Sequence, residues 1–209
     1  MNDFFQLLYG TFLMRDVLGK IAPGATILLA ISIWLDRPPV FLAPDMGLHS
    51  LRYPILLLLS YLVGLALHGV GEQLGIICFA PRRIAPYSSK RATTRDMNDD
   101  FLQRMALFAS SKDLPPTAQR LRERFAYEKD GAGNMSLALA LASLSMLASY
   151  LRTGDPPCGI AVAPLLLAIP LYAVHLSVAF RQGLVEINIL LEGGVLSEER
   201  AKSMRANLN

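Results

Sequence analysis

Residues that carry chemistry are scarce in this chain: its 209 residues include two cysteines, three histidines and one tryptophan. Cys78 and Cys158 fall at opposite ends of the apolar runs described below, which excludes a disulfide within one chain. Both read as isolated thiols rather than as redox or metal groups. No serine-centred elbow, His-Glu-x-x-His, Cys-x-x-Cys or glycine-rich phosphate loop after a strand can be found. These absences argue against an enzyme, and no cofactor is expected. The opening MNDFFQLLYG has an acid at Asp3 and lacks the basic start and small-residue cleavage site of a secretory signal, so it is expected to stay in the mature protein.

Apolar sequence is what the chain has in excess: 53% of its residues are hydrophobic, and they come in blocks. The blocks are Ile21–Leu35, Tyr53–Ala80, Met135–Leu151 and Ile160–Phe180. About 20 apolar residues at 1.5 Å rise cross a hydrocarbon layer roughly 30 Å thick. The pattern therefore predicts an all-α polytopic membrane protein of four transmembrane helices, with an amino-terminal interfacial helix and a cytosolic helical hairpin between spans 2 and 3. The segments are 1–80, an insert at 81–134, 135–180 and a tail at 181–209.

Net charge is only +3, yet its distribution sets an orientation. Lysine and arginine crowd the segments before the first span, between the second and third, and after the fourth, whereas Arg37, Arg52 and Arg152 remain for the other side. By the positive-inside rule both termini and the insert face the cytosol, with the two short loops outside. Beside a membrane these cations are explained by orientation and anionic headgroups, so direct nucleic-acid binding is not expected.

Phe4 to Val17 is apolar but too short to cross, and reads as the interfacial helix. Pro23–Gly24 predicts a break or kink. Trp34 belongs at the outer interface, and His49 reads as a solvated loop residue. Gly64, Gly69, Gly71 and Gly75 cluster in the inner half of the second span, Gly71 and Gly75 at the small-xxx-small spacing of helix contacts. In the insert a helix through about Ser110 is followed by TAQRLRERFAYEKD, ending at a hinge, Gly131–Ala132–Gly133. Asn134–Met135–Ser136 matches a glycosylation triplet that would be silent on the cytosolic side. The third span, rich in alanine and serine, suits an interior position, and Arg181 closes the fourth. Ser197 can cap a short tail helix carrying Glu198 and Glu199 in its first turn.

One polar constellation stands out. His68 and Glu72 are four apart on one helix face, and His175 lies at similar depth, about 22 Å from the outer end of its span. Lys20 and Arg181 belong near Glu72 at the inner interface. Ionisable groups inside a membrane are functional-site hypotheses by default. Three readings apply: a structural cluster in which Glu72 pairs with Lys20 or Arg181 and the histidines are hydrogen-bonded between helices; a proton or ion path; and a metal site, which lacks the further acid or histidine such a site needs.

The order Arg15–Asp16, then Pro23–Gly24 in a short first span, then a charged helix ending near Lys129 with Gly133–Asn134 opening the third span, resembles a group of small four-span bacterial proteins. Some of these are similar to membrane accessory proteins encoded beside CRISPR type VI-B nucleases and related antiviral systems. The resemblance implies a defence-linked accessory or membrane-perturbing role and carries over no functional residue. The expectation is a non-enzymatic accessory or scaffold protein in the lipid bilayer, forming a homo-oligomer. Its cytosolic helices, with Arg120, Arg122, Arg124 and Lys129, would bind a soluble protein partner. The alternative is an oligomeric channel or pore with the polar cluster at its inner mouth.

Overall fold

The computed structural model describes residues 16–35, 52–77, 116–192, 194 and 197–206. Every regular element among them is helical: α1, Ala22–Trp34; α2, Arg52–Gln73; α3, Pro116–Thr153; α4, Cys158–Glu192; and α5, Glu198–Ala206. Four helices, counting α1 with the turn before it as Asp16–Trp34, are long and apolar enough to cross a membrane. The contacts divide the chain into two compact units, one from Met1–Ile77 and Tyr127–His175, the other from Cys78–Ala126 and Leu176–Asn209.

Polarity in the first unit is inverted relative to a water-soluble core. Ser60, Asn134, Ser136, Ser143 and His175 are buried, while Leu58, Leu144, Leu166 and Ile169 are each about 60% exposed. Hydrocarbon around the helices explains both halves of this: leucine meets lipid at no cost, and polar groups turn inward to find partners.

Two glycines bring α1 and α2 together. Gly24 lies against the Ser60 carbonyl and Gly64 against the Lys20 carbonyl, so a Cβ at either position would collide with backbone. Moving four residues along α1 moves four back along α2, which makes the pair antiparallel. Pro23 sits in the first turn of α1, and the donor it cannot give to the Gly19 carbonyl is supplied by Asn134. The expected break at Pro23–Gly24 is therefore absent; the irregularity lies just before it, in a π-helical turn over 16–21.

The second span stops earlier than its apolar run. Gly75 has φ +72, its N–H bonds the Glu72 carbonyl, and the Ile76 N–H bonds the Gly71 carbonyl. This Schellman closure ends α2 at Gln73 rather than near Ala80. Gly75 thus serves as a stop, with nothing within 4 Å of a Cβ built there, whereas Gly71 meets Ile77 and Leu137.

Between α3 and α4 a polar seam repeats every seven residues. Ser143 donates to the Ala161 carbonyl at 2.6 Å and Ser136 to the Ala168 carbonyl at 2.9 Å. One repeat further, His175 donates from Nδ1 to the Lys129 carbonyl at 2.8 Å. The residue numbers rise on α3 as they fall on α4, so these helices are also antiparallel. At the other end Arg152 donates to the Trp34 carbonyl at 2.7 Å.

Gly131–Ala132–Gly133 is no hinge. The helix runs unbroken from Pro116 to Thr153. Glycine inside a helix costs only about 1 kcal/mol, and Gly133 is needed for contact: a Cβ there would lie 2.7 Å from Nδ1 of His175. Arg181 likewise does not close the fourth helix, which continues to Glu192.

The second unit is built on these continuations. Ile187, Ile189 and Leu190 of α4 and Ala201 of α5 form its core, flanked by Phe180, Leu184, Val185 and Leu191. Gly194, with φ +68, turns the chain between the two helices. The tail helix begins directly after Ser197, with Glu198 and Glu199 in its first turn and Arg205 in its last, as the helix dipole favours. Arg205 donates to Asn188 at 2.6 Å. The interfacial segment before residue 16, His49, Cys78 and the first expected helix of the insert lie outside the described residues.

Candidate intramembrane polar site

The first unit gathers its polar side chains around the start of the apolar part of α3. Asn134, 1% exposed, donates from Nδ2 to the Gly19 carbonyl at 2.6 Å. Its Oδ1 lies 3.2 Å from Nδ1 of His68. The other ring nitrogen, Nε2, lies 3.8 Å from Oε1 of Glu72. Three elements are thereby joined in one line: the π turn before α1, Asn134 on α3, and the His68–Glu72 face of α2.

His175 approaches the adjacent residue. Fully buried, it covers Gly133, donates to the Lys129 carbonyl and stacks on Tyr172, ring centroids 5.8 Å apart at 24°. His68 and His175 are thus brought to neighbouring residues of α3, Asn134 and Gly133, through separate partners. Lys20 pairs with Asp16 at 3.4 Å and stands 5.3 Å from the centre of the Tyr61 ring. Arg181 is an exposed residue of the second unit. Among the described residues no group of three His, Cys, Asp or Glu side chains could hold a metal ion.

The basic residues expected to bind a partner separate into two sets. Arg120 and Arg124 are exposed on α3. Arg122 turns inward to Glu186, Nε to Oε1 3.7 Å, and Gln182 donates to the same oxygen at 2.8 Å. Lys129 is 2% exposed and pairs with Asp130 at 3.2 Å. A side chain held this way adds nothing to an outer surface.

Asn134 is the residue that reading the sequence did not select for this site. It stood out only as the head of a glycosylation triplet, yet an amide placed at the entrance to an alanine- and serine-rich span is itself a signal, because a buried amide must find partners. The Gly19 carbonyl was legible too: the residue four further on is Pro23, which has no N–H to give it in an α turn and leaves it open to a donor from another helix. With four helices able to cross a membrane and a polar cluster between them, the molecule falls in the class of all-helical, multi-pass membrane architectures. No family model matches the chain, and comparison with curated proteins and with solved structures gives no match.

Proposed function

We propose that the chain is a non-enzymatic accessory or scaffold protein of the bacterial inner membrane, both termini in the cytosol, that presents a helical module to a soluble protein partner. The observation that carries this reading is the length of α3 and α4 and what their far ends do. At 38 and 35 residues they measure about 57 Å and 52 Å, well beyond the roughly 30 Å of hydrocarbon. The excess residues are not a frayed end. They carry the Arg122–Glu186 pair and a packed apolar core, a folded module with contacts of its own. A defence-linked context rests on the resemblance in feature order alone.

Arg120 and Arg124 lie on the exposed side of this module, where a partner would dock. Reversing both to glutamate should abolish co-purification of a soluble protein with the chain while the variant still inserts and accumulates in the membrane fraction. Unchanged recovery would count against docking through this face. The channel alternative is less well supported, because His175 and Asn134 are enclosed within one chain with their contacts made locally.

Orientation has an independent check. Cys158 is a free, exposed thiol at the start of α4. On intact spheroplasts an impermeant maleimide should label Cys158 and leave Cys78 unlabelled until the membrane is opened; the reverse pattern would invert the topology.

A further inference from the structure

We propose that α5 and the end of α4 form a docking surface for anionic phospholipid headgroups, with Arg181, Lys202 and Arg205 at its membrane end. The apolar run of α4 closes at Phe180, so Arg181 stands where hydrocarbon gives way to headgroups. The helix itself goes on to Glu192. The inference rests on α4 crossing the bilayer and is independent of any soluble partner.

Beyond the Gly194 turn α5 doubles back along α4. Ala201 packs into the core made by Ile187, Ile189 and Leu190, and Arg205, at the end of α5, reaches Asn188 at 2.6 Å. The last turn of α5 therefore lies nearer the apolar run than its first. On α4, Arg181, Asn188 and Glu192 follow one another at seven- and four-residue spacing, which is one face of a helix, and all three are exposed.

Charge is sorted along both helices in the same sense. On α4 the cation, Arg181, is at the membrane end of the face and the acid, Glu192, at the far end. On α5 Glu198 and Glu199 open the helix at the far end, and exposed Lys202 and Arg205 follow toward the membrane. The helix dipole accounts for the order on α5 alone. On α4 it disfavours an acid at the carboxyl end, yet Glu192 stands there. What the two helices share is distance from the bilayer, whose anionic surface attracts nearby bases and repels acids. The exposed side of α3 shows no such order, with Arg120, Glu123, Arg124 and Glu128 mixing the signs.

The group recognised is the negatively charged phosphate oxygen of a lipid. Asn188 takes one donor of the Arg205 guanidinium and leaves the others to phosphate. Holding that side chain before a lipid arrives lowers the ordering cost of binding. Each basic group close to an anionic leaflet strengthens association about five-fold.

The test uses the full 15N-labelled chain in phosphatidylcholine nanodiscs holding a minor share of spin-labelled lipid, the nitroxide at the top of the acyl chain. Labelled phosphatidylglycerol should relax the Ala206 amide at least about five-fold more than labelled phosphatidylcholine, the worth of one cation, and should affect Glu199 much less. The triple variant Arg181→Gln, Lys202→Gln, Arg205→Gln should lose the preference for phosphatidylglycerol. Equal relaxation of Ala206 by the two wild-type samples overturns the proposal and leaves these cations to an acidic protein. Preference retained in the triple variant overturns it as well, and so does Glu199 relaxing as much as Ala206. Relaxation at no amide of the chain would instead overturn the spanning of α4, and the proposal with it. If the variant does not fold, salt decides: at 1 M, where the screening length is about 3 Å, the wild-type preference should vanish, and one that survives overturns the surface.

Discussion

Gly24→Ala and Gly64→Ala should each destabilise the protein by about 3 kcal/mol, the upper part of the usual range for overpacking a tight contact. Glycine to alanine in a helix interior ordinarily stabilises by about 1 kcal/mol, so the sign itself is diagnostic. At both positions the new methyl would meet backbone: the Ser60 carbonyl for Gly24, and the Lys20 carbonyl for Gly64. A side chain could swing aside, but here one whole helix has to move. The two changes share an interface, so the double variant should lose less than the sum of the single variants. Gly69 provides the control, because nothing lies within 4 Å of a Cβ there, and Gly69→Ala should leave stability equal or slightly raised. Unfolding equilibria measured by steric trapping in bicelles would read all four variants. If Gly24→Ala matched Gly69→Ala, α1 and α2 could not be as close as described.

The second large effect concerns Gly133 and His175. A Cβ on Gly133 would lie 2.7 Å from Nδ1 of the ring, the atom that donates to the Lys129 carbonyl. Gly133→Ala should therefore cost about 2 kcal/mol by crowding the ring out of its place. His175→Ala should cost about 3 kcal/mol by leaving a cavity and taking the side-chain donor away from the Lys129 carbonyl. Together they should cost less than the sum by at least about 1 kcal/mol, since the added methyl occupies room the ring has left. Strict additivity in the same trapping experiment would mean that the two residues do not touch.

What the sequence discloses here follows from the range over which each signal acts. Long apolar runs announce the spans because the bilayer acts on every residue in them. Two residues four apart on a helix must share a face, so His68 and Glu72 could be paired from spacing alone, and the structure sets them 3.8 Å apart. Glycine carries several meanings that spacing does not separate. Gly64 allows close approach, Gly75 stops a helix, and Gly133 makes room for a ring, while all of them read alike along the chain. Helix ends were misjudged at Gly131–Ala132–Gly133 and Arg181 for a related reason. A glycine cluster or an arginine marks an end only when nothing across from it rewards continuing. Here His175 opposite Gly133, and the packing of Ile187 and Leu190 beyond Arg181, supply that reward. Lys129 showed the opposite failure: a charge that looks solvated in a charged segment proves enclosed beside Asp130, because burial depends on a helix remote in sequence.

The contacts of Ser143, Ser136 and Lys129 with α4 set a rule for how this chain can change length. Deleting one residue of α3 between positions 136 and 143 would turn everything on one side of the deletion by about 100°, and Ser143 would be aimed at lipid. Deleting seven from α3 alone would restore the facing yet match each hydroxyl to the wrong carbonyl, with a histidine arriving where an alanine is needed. Insertions and deletions that survive in this hairpin should come in whole repeats, made in both helices at once, while the turn around Gly154 remains free to vary in length.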